Sequence, residues 1–374
     1  MPRLPAQNQR MSGLHQVSER ELSQAWLRRS APAAEHIRAF LQSGAVFAWS
    51  DDRWIIAWGD AEKSAEPDPG RPSFFAPDFY LSDTAPWRTY PGCAAVSPDT
   101  LAQQFDGGET TRTWRAFDAA HFAGTFDKAQ AAFAGGELRK AVPAVFETSA
   151  GPLDTDARQR ALRALANLPS GLMPYGCWND EGGILGASPE LLFENDGIEI
   201  HAMAVAGTAR ADTAPEDMME DPKEKGEHLV VLEDIAARLG QLGRVTRGAT
   251  RLWRIGILSH LRTDLRVMPG RPAGFRELVD LLHPTPAVGT APREGWREWM
   301  PRLDAEPRGR FAAPFGLMLP GGEARCLVAI RNVQWNREIA RCGAGCGLVP
   351  ASQLARETAE LRLKLAATRG NLGL

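Results

Sequence analysis

The sequence predicts an α+β fold. Three observations carry this: two antiparallel hairpins, two helices with clear start signals, and no regular strand–helix–strand alternation. Residues 1–30 are polar and begin irregularly at Pro2 and Pro5, a frayed start leading into a helix. Trp54 to Trp58 is a strand. Glu62 to Pro77 holds Pro67, Pro69, Pro72 and Pro77 and is expected to be a loop. Thr100 to Glu137 lacks strand alternation and is expected to be mostly helical. Leu185 to Phe193 and Ile198 to Met203 form two strands around Asn195-Asp196-Gly197, which supplies the positive-φ residues of a tight turn. Phe315 to Leu319 and Ala324 to Val333 form a second hairpin around Pro320-Gly321-Gly322, with Cys326, Val328 and Ile330 on one face and Leu327, Ala329 and Arg331 on the other. A helix starts at Asp221-Pro222, with Glu224 at capping-box spacing and Leu229, Leu232, Ile235, Ala236 and Leu239 as its apolar face. A last helix follows Pro350 and Ser352 and runs to about Thr368, with Gly370 as its stop.

Composition removes several classes of function. Lys and Arg number 43 and Asp and Glu 46, for a formal net charge of -3. A dedicated nucleic-acid binder or basic membrane-surface protein would show a basic excess. The apolar runs fall short of a membrane span, and no secretory signal is visible. The five cysteines are odd in number and form no CxxC pair, so a reduced, cytoplasmic, soluble protein is expected.

Several groups of residues can carry chemistry. Glu224 and Glu227 are three apart on the first helix, and Glu357 and Glu360 repeat the spacing on the last, with Lys364 one turn on. Two such pairs suit a hard divalent cation, which takes oxygen ligands; the same spacing suits two solvated helix faces. Glu190 follows Gly186-Ala187-Ser188-Pro189 at a strand end, where burial would make a general acid; a Ser-Pro turn is the plainer reading. Lys140 opens an apolar strand, either as a buried base or as a lysine snorkelling at a strand end. The loop Leu282 to Gly289 is stiffened by two prolines and offers the Thr285 hydroxyl to a carboxylate. Gly343-Ala344-Gly345-Cys346-Gly347 permits close backbone approach to a ligand, or is a glycine-rich turn. Arg331 and Lys364 can pair with a dianion, although Arg331 alone suits a strand surface. His260 and His228 are candidates for polar contacts, with no spacing for zinc.

In this order the segments resemble the chorismate-utilising enzymes. That family holds isochorismate and salicylate synthases and the synthase subunits for anthranilate and aminodeoxychorismate. The matching segments include Leu138–Val142, Gly186–Phe193, Ala204–Arg210, Asp221–His228, Ser259–Leu261, Leu282–Gly289, Val328–Arg331, Gly345–Ser352 and Glu357–Lys364. The resemblance implies one domain over 1–374, with 1–137 divergent and 138–374 bearing the motifs. It implies large antiparallel sheets in a sandwich with helices outside. It also implies Mg2+ held directly by Glu227 and Glu360 and through water by Glu224 and Glu357. Arg331, Lys364 and Gly345 would clamp the carboxylates of chorismate, with His260, Thr285, Gly207 and Thr208 as further substrate contacts. Glu190 would be the general acid.

Within the family, Lys140 stands where ammonia-using members carry glutamine, so it resembles the base of the water-using members. Ala206 stands where aminodeoxychorismate synthases carry a lysine that forms a covalent adduct. Phe311 resembles isochorismate synthases more than salicylate synthases, which tend to carry tyrosine there. The resemblance therefore implies isochorismate synthase, with salicylate synthase the closest alternative, then an ammonia-using subunit, then a non-catalytic chorismate-binding subunit. A monomer without an amidotransferase partner is expected. Val145, Thr290 and Cys346 depart from the usual arginine, glycine and alanine.

Overall fold

The computed structural model describes residues 23, 25–28, 32–105 and 112–374. Most of the start expected over 1–30 lies outside them. Two large sheets dominate, and among the described residues every strand pairing within them is antiparallel. The eight-stranded sheet runs in the order Gly92–Val96, Arg53–Trp58, Gly44–Ser50, Met173–Trp178, Gly182–Ser188, Asn332–Asn336, Ile339–Gly345, Ala144–Ala150. The ten-stranded sheet is centred on Leu258–Pro269, Ile200–Arg210, Leu191–Asn195, Ala324–Val328 and Pro314–Met318. Strands from the N-terminal third thus pair directly with strands of the motif-bearing part, as Gly44 to Phe47 do with Trp178 to Tyr175.

Side-chain alternation divides the core. Ala45, Phe47, Ile55, Tyr175 and Ile184 of the first sheet pack with Leu191, Met203, Phe315 and Leu327 of the second in one buried cluster. Phe315 lies 5.0 Å, centroid to centroid, from Tyr175 across this interface. The opposite faces are covered by helices. Val46, Ile56 and Leu185 pack with Phe40 and Leu162, and Ala202, Ala204 and Leu265 with Val231 and Ile235. Sheets inside and helices outside is the expected sandwich.

The structure corrects several local expectations. Leu185 to Phe193 is not one strand. Gly182–Ser188 belongs to the eight-stranded sheet and Leu191–Asn195 to the ten-stranded one, so the chain changes sheets at Pro189-Glu190. The second hairpin forms as expected through Val328, but its strand stops there. Ala329 to Arg331 cross back, and Asn332–Asn336 joins the first sheet. Arg331 is therefore not a strand residue; its φ is +58°. The proline-rich stretch is not all loop: it contains the short strands Glu62–Ser64 and Ser73–Phe75. Asp221 caps the Pro222–Leu239 helix through Lys223 and Glu224 amides, but Glu224 does not reach back to complete the box. Leu229 is 51% exposed, since the buried stripe runs through His228, Val231 and Leu232 instead. The last helix, Leu354–Asn371, continues through Gly370 because glycine costs only about 1 kcal/mol there and the leucine face is already packed. No helix of the described residues is long and apolar enough to cross a membrane.

Candidate active site

Both sheet-to-sheet crossings open onto one cavity. Glu190 comes from the first crossing and Arg331 from the second. Gly207, Thr208 and His260 enter from the central strands of the ten-stranded sheet, and Glu227 from the Pro222–Leu239 helix. Gly345 and Lys364 close the far side. Phe311 also lines the wall.

The first crossing is tied by Ser188. Its hydroxyl donates to the Val328 carbonyl (2.6 Å) and accepts from the Glu190 amide (3.0 Å). The two crossings touch where a Cβ on Gly186 would lie 2.4 Å from the Arg331 carbonyl, so only glycine fits there. The Glu190 side chain is 3% exposed, and its Oε1 is buried without a hydrogen-bond partner. Burial pushes its carboxyl up to about 8, with Lys140 and Lys364 partly offsetting the shift.

Arg331 and His260 form a pair. The His260 ring contacts the Gly207 carbonyl through Nδ1 at 2.9 Å, which leaves Nε2 to accept from Arg331 Nη2 at 3.4 Å. Burial, with the Arg331 charge next, pulls the imidazole down to about 3, so His260 is neutral. Arg331 Nη1 is buried with no partner and is an unused donor in the cavity wall. Lys364 donates to the Gly345 carbonyl at 2.9 Å and pairs with Glu360 at 2.6 Å. His228 is turned away; its Nε2 meets Thr263 Oγ1 at 2.8 Å.

Lys140 is fully buried just behind the cavity wall. A two-stranded ribbon with Thr290–Ala291 holds it on one side, and the Ala141–Leu348 bridge holds it on the other. Its ammonium donates to the Pro286 carbonyl at 2.6 Å and lies 3.3 Å from Glu227 Oε1. Burial lowers its proton affinity, and Glu227 opposes the shift. Thr285 is also behind the wall, with its hydroxyl buried and unpartnered.

The four glutamates lie where two helices meet. Glu227 would be raised by burial, but Lys140, Lys223 and Lys364 hold it down to about 2. Burial pushes Glu357 up to about 7, against the Lys223 charge. Burial also raises Glu224, whose Oε2 accepts from the Thr208 amide at 2.8 Å. Gly207 and Thr208, expected as substrate contacts, therefore also hold His260 and Glu224 in place. The donor set is all oxygen, as a hard cation requires, and Glu357 Oε2 is buried without a partner. Yet no three metal-capable side chains among the described residues converge closely enough to hold an ion.

Two residues of the site were not singled out from the sequence. Lys223 stands among the glutamates; its spacing of four from Glu227 was the available signal. Arg308 is 1% exposed, paired with Asp304, and donates to the carbonyls of Val288 and Val142, joining the Thr285 loop to the Lys140 segment. No sequence pattern marked it.

The glycine run gives a sharp expectation. A Cβ on Gly347 would lie 1.8 Å from Glu227 Oε1. Gly347→Ala should displace that carboxylate and lower kcat/KM about a hundredfold, the usual cost of a misplacement near 1 Å. Steady-state kinetics beside circular dichroism will show whether activity falls while the fold remains.

The site is a buried acid facing a cationic clamp, with a buried lysine behind the wall, on an antiparallel sandwich. The same fold occurs in the menaquinone-specific isochorismate synthase MenF of Escherichia coli, with a TM-score of 0.74 at 21% identity over 91% of each chain. The chain belongs to the chorismate binding enzyme family, whose model matches residues 96–373. It is 35% identical over 204 residues to the salicylate biosynthesis isochorismate synthase of Pseudomonas aeruginosa, covering 52% of this chain and 43% of that one. It is 30% identical over 190 residues to isochorismate synthase MenF of Bacillus subtilis, covering 48% and 40%. The chain thus spans less than half the length of these two curated relatives.

Proposed function

We propose that this protein is an isochorismate synthase that converts chorismate to isochorismate with magnesium. The observation that supports this most is the opposed displacement of two buried groups, Glu190 in the cavity wall upward and Lys140 just behind that wall downward. A lysine that can act as a base and a glutamate that can act as an acid coexist near neutral pH only if their surroundings shift both in these directions. Lys140, once it has given up its own proton, takes one from water, and the water oxygen bonds to ring carbon 2. The ring double bonds shift, the carbon 4–oxygen bond breaks, and the hydroxyl leaves with the proton of Glu190. One water enters and one departs, so the reaction is an isomerisation. Arg331, with its free Nη1, and Lys364 bind the substrate carboxylates and fix the ring between base and acid. Glu224, Glu227, Glu357 and Glu360 would hold magnesium, which when bound neutralises a substrate carboxylate. A lysine at position 140 supports water rather than ammonia as the nucleophile, and therefore no amidotransferase partner.

The acid imposes a pH dependence. Glu190 is competent only while protonated, so activity is present below its pKa of about 8 and lost as pH rises through it. The pH profile of kcat/KM should show an alkaline limb near that value. A profile flat through it would remove Glu190 as the acid. Separation of the products formed from chorismate and MgCl2 tests the assignment as a whole.

A further inference from the structure

We infer that Lys223 is a built-in counter-ion that competes with a divalent cation for the same carboxylates, so that cation binding is an exchange with this ammonium. The inference rests on the metal site proposed above and names the residue that sets its affinity.

Lys223 Nζ lies 3.1 Å from Glu227 Oε2, 3.3 Å from Glu224 Oε1 and 3.5 Å from Glu357 Oε1. It bridges both helices that carry the glutamates. Those distances suit an ammonium; magnesium needs oxygens at about 2.0–2.1 Å. The glutamates are thus gathered around Lys223 at a radius too wide for a metal, which accounts for their failure to converge. The ammonium and the ion need the same oxygens, so both cannot be held at once.

Lys223 is placed to leave. It occupies the first turn of its helix behind Asp221 and Pro222 and is 8% exposed. Arg356, 56% exposed, reaches Glu224 Oε1 at 3.5 Å and Asp221 at 3.4 Å, so solvent is one side chain away. The four-carbon stem of lysine allows the swing. Glu227 keeps Lys140 at 3.3 Å when Lys223 departs.

A purely structural role makes the opposite prediction. If Lys223 only holds the carboxylates together, its removal splays them and weakens cation binding. If it competes, removal strengthens binding. An ammonium that holds the carboxylates about nine-tenths of the time raises the apparent Kd about tenfold.

The test is calorimetric titration of the full chain with MgCl2, comparing wild type with Lys223→Met, which keeps the stem and removes the charge. The expected result is a Kd about tenfold lower in the variant, with a larger rise in Tm on adding magnesium. Equal or weaker binding in the variant overturns the inference while leaving the metal site standing. Binding by neither protein overturns the metal site and the inference together. Should the variant fail to fold, acylation of Lys223 in the wild type, followed by mass spectrometry, reads the same exchange. Labelling should be several-fold faster with MgCl2; unchanged or slower labelling overturns the inference.

Discussion

Replacing Lys140 with methionine should lower kcat by about 10³-fold or more, within or above the range for a lost general base, while the protein stays folded. The side chain is fully buried and makes two polar contacts, to the Pro286 carbonyl and to Glu227. Breaking a buried ion pair usually costs about 3–5 kcal/mol because a charge is left uncompensated. Here Glu227 retains Lys223 at 3.1 Å, so the expected loss of stability is smaller than that range. Methionine fills the volume of the lysine stem and avoids a cavity. The ribbon to Thr290–Ala291 and the bridge to Leu348 are backbone contacts and survive the change. Kinetics beside a thermal melt separates the two effects. Near-normal turnover by a folded variant would remove Lys140 as the base.

Glu190→Gln should cost about 10²–10⁴-fold in kcat with little change in KM, because the proton is delivered only in the transition state. Glutamine matches the size and hydrogen-bonding surface of a protonated glutamic acid. The crossing is fixed by Ser188 and the main chain, not by the carboxyl group. The variant should therefore fold normally. Any residual activity should also lose its alkaline limb near pH 8, since the titrating group is gone. A variant with wild-type kcat, or one that keeps the limb, would assign the acid role elsewhere.

Much of this architecture was legible in the sequence because it is locally encoded. Asn195-Asp196-Gly197 marked one turn and Pro320-Gly321-Gly322 the other, and both hairpins formed. Asp221-Pro222 marked a helix start, confirmed by the Asp221 side chain on two amides. The sheet changes at Pro189-Glu190 and Ala329–Arg331 were not legible. Ser188-Pro189 marked a turn at the first break, but residues on both sides of each break are buried, so nothing in the pattern announced that the chain moves to another sheet. Those two breaks nevertheless bring Glu190 and Arg331 to one cavity.

The site residues were legible mainly as an ordered set resembling a family. Spacing placed Glu224 with Glu227 and Glu357 with Glu360, but it could not show that the two helices meet. Nor could it show what lies between them. Lys223 looked like an ordinary first-turn lysine until both helices closed around it. Leu229 misled for the converse reason: helical periodicity leaves the edge of a stripe undefined, and packing on the sheet turned that edge outward.

The proposed isochorismate synthase would add water to chorismate and stop at isochorismate. The most direct measurement is incubation of the full chain with chorismate and MgCl2, without ammonia, followed by chromatographic separation of the products. Isochorismate should be the accumulating product, with its formation slowed about 10³-fold or more in Lys140→Met. Salicylate with pyruvate, or chorismate that stays unchanged until ammonia is added and is then aminated, or chorismate that stays unchanged throughout, would contradict that assignment.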